Sequence, residues 1–338
     1  SLFQRVFTDN GVSAVGVDSR TDASILTYVS YPNALVTLPP GVKVPPQRIF
    51  GFAADFQNPD TTAASATVEH RVTDGMQVSI GYVRNRTRHL QRRFDNNLFP
   101  PTIEATGLPV FPATRPDTTI AQLDVNESTA KSEYDALILT AGGRHHAALQ
   151  WEGNYTYARN WDDDSNERSV SRQMTLNPYD LASEWAPSKN DMRHSLAGTA
   201  VATLPRGFTA SAILIARSGV PYTAVIGSDQ QRDANDNNDR AIVDGRMVGR
   251  NTFRQPAFFN LDLRLMKAFP LGGATELQLL VDVLNATRAS NKNLGNDGVS
   301  EFGTPEEPVE TAGQMLYAPS TARFGGPRQV QLGVKVLF

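Results

Sequence analysis

Stretches in which apolar and polar residues alternate one by one recur along this chain, and they come in pairs. Ala64, Ala66, Val68 and Val72 alternate with Ser65, Thr67, Glu69 and Arg71; after Thr73-Asp74-Gly75, Met76, Val78, Ile80 and Tyr82 alternate with Gln77, Ser79 and Gly81. A period of two belongs to a strand with one apolar and one polar face, and Asp-Gly between two such runs signals a hairpin. The pattern returns in YDALILT (134–140), which turns at Gly142-Gly143-Arg144 into HHAALQWEGNYTYA (145–158). It returns again in RHSLAGTAVATL (193–204), turning at Pro205-Arg206-Gly207 into FTASAILIARS (208–218). In FFNLDLRLMKAF (258–269), Phe259, Leu261, Leu263 and Leu265 oppose Asn260, Asp262 and Arg264, and ATELQLLVDVLN (274–285) follows a short turn. The closing stretch RQVQLGVKVLF (328–338) sets Val330, Leu332, Val334, Val336 and Phe338 against Gln329, Gln331, Gly333 and Lys335.

The connections between hairpins are long and polar, falling near 88–130, 161–190, 219–255 and 287–324. Loops of this size are uncommon inside compact soluble domains. Their strict alternation with short turns is the asymmetry of an outer-membrane barrel. Each strand reads as about 11–14 residues, longer than the usual ~5–6 of globular sheets and sufficient for a tilted bilayer crossing. A soluble sandwich or propeller is the alternative, and it predicts shorter strands and more even loops. The fold expected is therefore an all-β, antiparallel transmembrane barrel with short periplasmic turns and long extracellular loops. Glu152, Asp262, Arg264 and Glu276 sit at strand centres. In a small packed barrel they would be buried charges needing partners; in a wide one they face water or a plug.

Composition adds mainly exclusions. Among 338 residues there is no cysteine, so disulfides, thiolate zinc sites and a cysteine nucleophile are ruled out. The net charge of -3 gives no reason to expect a nucleic-acid partner. The densest basic stretch, RNRTRHLQRR (84–93), reads as a solvated loop base, with an anion-contacting patch as the alternative. No apolar run approaches the ~18 residues of a membrane helix. HExxH, GxSxG, Walker and Rossmann signatures are missing, so no enzyme activity is expected.

Several long segments resemble TonB-dependent outer-membrane receptors, particularly their Oar-like branch. They are 51–93, NPYDLASEWAPSKNDMRHSLAGTAVATLPRGFTASAILIARSGVPYT (177–223), GRNTFRQPAFFNLDLRLMKAFPLGGATELQLLVDVLNATRASN (249–291) and FGGPRQVQLGVKVLF (324–338). The resemblance implies a 22-stranded barrel preceded by a plug domain and a short TonB-contacting segment. With ten strands counted from residue 60 onward, and one to three more in 1–59 (SLFQRVF, SAVGV, ASILTYV, then a Pro-rich loop), this chain would supply about 10–13 of them. It would be the C-terminal part of the barrel, reaching the inner-membrane TonB complex through an N-terminal part that it does not contain. The resemblance also implies that Leu332, Val334, Val336 and Phe338 form the C-terminal signal read by the barrel-assembly machinery. Outer-membrane lipid is the remaining partner.

One cation candidate stands out in DANDNNDRAIVD (233–244). Asp233, Asn235, Asn237 and Asp239 fall on alternate positions and Asp244 on the twelfth, the oxygen-ligand spacing of a calcium loop. A polar loop tip gives the same letters. A structural Ca2+ is the sole cofactor the sequence suggests. Transport is the leading function expected, with the ligand unspecified. A structural or adhesive outer-membrane element whose loops bind a partner is the second reading, and a small passive porin the third.

Overall fold

The computed structural model describes residues 4–9, 13–18, 23–29, 46–146, 148–165, 175–294, 299–310, 312–313, 316–317 and 326–338. The alternating runs all become strands of one thirteen-stranded sheet. In chain order these are β1 (Gln4–Asp9), β2 (Ser13–Asp18), β3 (Gln47–Phe52), β4 (Asp60–Thr73), β5 (Met76–Asp95) and β6 (Ile120–His145). Then follow β7 (Leu149–Asp162), β8 (His194–Leu204), β9 (Phe208–Arg217), β10 (Phe258–Gly272), β11 (Thr275–Leu284) and β12 (Gln329–Leu337). The two-residue strand Ala186–Pro187 flanks the end of β7.

Their spatial order is β1-β2-β3-β6-β7-β8-β9-β10-β11-β12, with β5 also on β6 and β4 outside β5. All pairings are antiparallel except β3, which runs parallel to the start of β6. β6 is the hub. One edge carries β5; the other carries β3 against residues 120–126 and β7 against 132–145. Among the described residues the sheet stays open, with β1, β4 and β12 each paired on one edge.

Four tight turns lie at one end of the sheet, closing at Thr73↔Met76, His145↔Leu149, Leu204↔Phe208 and Gly272↔Thr275. In the β8–β9 turn, Arg206 (φ 63) and Gly207 (φ 76) adopt the left-handed conformation. A Cβ on Gly207 would also lie 3.0 Å from the Ala268 carbonyl oxygen.

Registers carry the sequence pattern into three dimensions. Val68 opposes Ile80, Ile80 opposes Leu139, Leu139 opposes Tyr155, and Tyr155 opposes Leu196. Further along, Leu265 opposes Val281 and Val281 opposes Leu332. Apolar side chains thus form one outward belt, and its large members are exposed, including Val68, Ile80, Leu139, Leu265 and Leu332. On the opposite face Arg264 and Asp282, direct cross-strand partners, make a two-pronged pair with Nε–Oδ1 at 2.6 Å and Nη2–Oδ2 at 2.8 Å. A belt of this extent facing water would drive aggregation; facing lipid, it is the surface a membrane strand requires.

Most of the large buried apolar residues lie elsewhere. Phe94, Leu98, Leu108, Phe111, Leu176, Tyr222, Ala224, Val225 and Ile226 are all buried, and all belong to the long connections or the strand ends that enter them. The conventional core of this molecule is its loop layer, and the sheet below it is a wall.

Three expectations need correction. Residues 88–95 and 120–130, read as loop, continue β5 and β6. The hydrophobic alternation ends there but the ladder does not: Arg92 opposes Glu127, Phe94 opposes Val125 and Asp95 opposes Asp124 across the strands. β6 has 26 residues, about 86 Å at ~3.3 Å per residue, against the ~9–11 residues a bilayer crossing takes. ASILTYV forms a 3-10 helix, Ala23–Tyr28, and not a strand. QRIFGF, at the end of the stretch assigned to a Pro-rich loop, is β3; residues 30–45 lie outside the described residues.

Candidate functional site

The loop layer is built on charges drawn from distant parts of the chain. Glu184, in the short 3-10 helix Leu181–Glu184, is 2 % exposed. Its Oε2 lies 2.6 Å from Arg240 Nη2 and 3.7 Å from Arg250 Nε, while Oε1 accepts the Leu176 N–H at 3.1 Å. Arg250 reaches on to Asp162 Oδ1 at 2.6 Å and Ser165 Oγ at 3.1 Å. Asp191, fully buried, accepts the Asn160 N–H at 2.8 Å and pairs with Arg193 at 3.2 Å and with Arg254. These links tie residues 160–191 to residues 240–254. Burial lowers the Arg240 pKa, and the facing Glu184 carboxylate opposes that shift. Sequence patterning did not single out this network. Glu184, Asp191, Arg193, Arg250 and Arg254 lie in the strings that carry the receptor resemblance, NPYDLASEWAPSKNDMR and GRNTFR, whereas Arg240, Asp162 and Ser165 do not.

A second cluster is purely acidic. Asp229, Asp233 and Asp239 each place a carboxylate oxygen within 4.8 Å of the other two; Asp229 is exposed, the others buried. The chain coils around itself through side-chain-to-backbone hydrogen bonds. Asp229 accepts the N–H groups of Asp233 (3.1 Å) and Ala234 (3.0 Å); Asp233 accepts that of Asn235 (2.9 Å). Asp239 Oδ1 accepts those of Gln230 (2.9 Å) and Gln231 (2.7 Å). Left-handed Arg232 (φ 62) and Ala234 (φ 64) permit the tight path. Among the described residues, none of the three carboxylates pairs with a Lys or Arg. Burial pushes the Asp233 carboxyl up to about 6, with the Asn238 hydrogen bond opposing and the Asp229 charge adding to the rise. Burial likewise pushes Asp239 up to about 7, with Asp233 and Asp229 adding.

The calcium-loop spacing therefore meets a different geometry. Asp233 and Asp239 are in the cluster. Asn235 is buried beside it, its Oδ1 accepting the Asn237 N–H at 3.1 Å. Asp244 is exposed at the turn between Ile242–Val243 and Arg246–Met247, with φ 52, and takes no part. Asp229, four residues before the motif, is the third member of the cluster. Alternating Asx residues make successive side-chain turns as readily as they make a cation loop, so spacing alone did not separate the two.

The cluster also joins loops. Gln231 Nε2 donates to the carbonyls of Pro109 (3.1 Å) and Leu176 (3.3 Å), and its own carbonyl accepts the Phe111 N–H at 2.8 Å. Gln122 donates to the Asp233 carbonyl at 3.1 Å. A cavity of about 430 Å³ opens beside it, lined by Arg48, Arg93, Gln122, Asp229, Ala234, Asn235 and Asp236.

On β12, Leu332, Val334 and Val336 oppose Val281, Leu279 and Leu277, and with Phe338 they are 81%, 70%, 50% and 99% exposed, continuing the outward belt.

The profile of the outer membrane beta barrel domain family matches residues 7–247. No curated protein sequence matches the chain. Among solved structures, the outer membrane transporter YddB from Escherichia coli superposes with a TM-score of 0.51 at 11% identity, over 84% of this chain and 33% of that one. The siderophore receptor PiuA from Acinetobacter baumannii gives 0.45 at 8% identity, over 98% and 35%. The ferripyoverdine receptor of Pseudomonas aeruginosa gives 0.43 at 11% identity, over 97% and 31%. The chain thus spans about a third of the length of the solved structures it matches.

Proposed function

This chain belongs to the outer membrane beta barrel domain family and resides in the bacterial outer membrane, and from that premise we propose that it is barrel wall and loop crown of a TonB-dependent transporter. One observation carries the reading. The strands present a continuous apolar belt outward and charged pairs such as Arg264–Asp282 inward, beneath a loop layer braced by buried ion pairs. A wall of this kind separates lipid from a polar lumen, and a braced crown offers a shaped surface for ligand capture. The likeness to YddB supports the fold side of the proposal.

In this reading the lumen-facing charges line the path, and the polar cavity beside Arg48 and Arg93 lies in the capture layer. Energy would come from the inner-membrane TonB complex through a plug and contact segment in the remainder of the receptor. The row Leu332, Val334, Val336 and Phe338 would serve as the assembly signal.

The test is in vivo cross-linking of the full-length protein in its native envelope. A covalent adduct with TonB, lost when TonB is deleted, is the expected result. A heat-modifiable barrel in the outer membrane that never cross-links to TonB would overturn the transporter reading and leave an adhesive or structural element.

A further inference from the structure

We propose that Asp229, Asp233 and Asp239 bind a calcium ion that fastens the loop crown. The three carboxylate oxygens lie within 4.8 Å of one another. Oxygens on opposite sides of one Ca2+ stand about 5 Å apart, at ~2.3–2.6 Å each from the ion.

A cluster of carboxylates could exist without an ion if its oxygens were all satisfied by the protein, and here one buried oxygen is left over. Asp239 is fully buried; its Oδ1 takes two backbone N–H groups and its Oδ2 has no partner. Beside it Asn238, 6% exposed, turns its Nδ2 to Asp233 Oδ2 at 2.6 Å and to the Thr175 carbonyl at 3.5 Å, and its buried Oδ1 has no donor. Buried acceptors left unsatisfied cost about 1–3 kcal/mol each, more when charged. No Lys or Arg pairs with the three carboxylates among the described residues, so a cation from solution is the counter-charge that would serve all three. The donor set is all oxygen, which suits a hard cation. An all-protein carboxylate cage favours Ca2+ over Mg2+, because Mg2+ sheds its waters reluctantly.

The ion's role follows from what the coil touches. Asp239 Oδ1 holds the backbone of Gln231, and Gln231 bridges the strand at Pro109–Val110 to Leu176. An ion clamping Asp239 therefore fixes three separate connections.

The experiment is calorimetric titration of the EDTA-stripped full chain, folded in detergent, with CaCl2 alone. One saturable site is expected, with a Kd between roughly 10⁻⁶ and 10⁻³ M. Asp239→Asn should weaken it at least tenfold, and Asp244→Asn should leave it unchanged. Should Asp239→Asn fail to fold, Asp229→Asn, at an exposed position, carries the same expected loss. Absence of saturable binding, or unchanged affinity in Asp229→Asn, overturns the site. Equal affinity for MgCl2 overturns the choice of calcium.

Discussion

Replacing Glu184 by Gln keeps the shape of the side chain and removes its charge, so it isolates what the buried ion pair contributes. Glu184 and Arg240 side chains are 3% and 5% exposed, and 2.6 Å separates Oε2 from Nη2. Removing one partner of such a pair costs about 3–5 kcal/mol, because the remaining charge is left buried and uncompensated. Two details place this case at the low end. Gln can still accept the Leu176 N–H, and Arg250 keeps Asp162 at 2.6 Å. We expect about 3 kcal/mol, or roughly a 150-fold rise in the population of the opened crown. Native-state hydrogen exchange reads it directly, since local opening sets the exchange rate of protected amides. Exchange at Leu176, Gln231 and Ile226, whose N–H groups are bonded within the crown, should accelerate by about that factor. Amides in β10 and β11 should not change. The double variant Glu184→Gln/Arg240→Met should recover part of the loss, since it leaves no unpaired cation. Acceleration below threefold in Glu184→Gln, or equal acceleration in the wall strands, would refute the reasoning.

Arg264 is half exposed, so the double-mutant coupling of Arg264 and Asp282 should be at most about 1 kcal/mol by urea unfolding in micelles. A lumen filled with water explains a small value; several kcal/mol would mean a dry interior. Leu265→Arg, on the opposite face of the same strand, should destabilise by about 2–4 kcal/mol in lipid vesicles, and a neutral result would contradict the belt. Gly207→Ala should cost about 1–2 kcal/mol, because φ 76 and the Ala268 carbonyl both oppose a Cβ. Phe338→Ala should lower the folded, heat-modifiable fraction in the outer membrane several-fold, whereas Phe259→Ala should not; equal effects would count against a terminal signal.

The wall was legible in the sequence because its physics is local. A strand with lipid on one side and water on the other must alternate, so Phe259 to Leu265 and Leu277 to Val283 announced β10 and β11 in their letters. The limits of β5 and β6 were not legible. Above the membrane both faces are polar, and Arg84 and Arg86 resemble a loop base until their partners Glu133 and Asp135 are seen across the ladder. The crown was least legible. Arg240 and Glu184 are 56 positions apart and Arg250 and Asp162 are 88, with no periodicity joining them. In the acidic coil, the spacing of Asp233, Asn235, Asn237 and Asp239 marked a segment where the structure gathers Asp229, Asp233 and Asp239 and leaves Asp244 exposed at a turn.

The strand β6 also sets how this wall answers to force. It runs unbroken from the crown to the turn at His145, with β5 bonded along nearly its whole length. Antiparallel hydrogen bonds lie across the strand direction. A pull along the strands therefore strains the β5–β6 bonds all at once, in shear, whereas a pull across them would part the ladder one rung at a time. The wall is therefore most resistant along its strands and weakest across them. The crown above would be carried as one piece with its anchor.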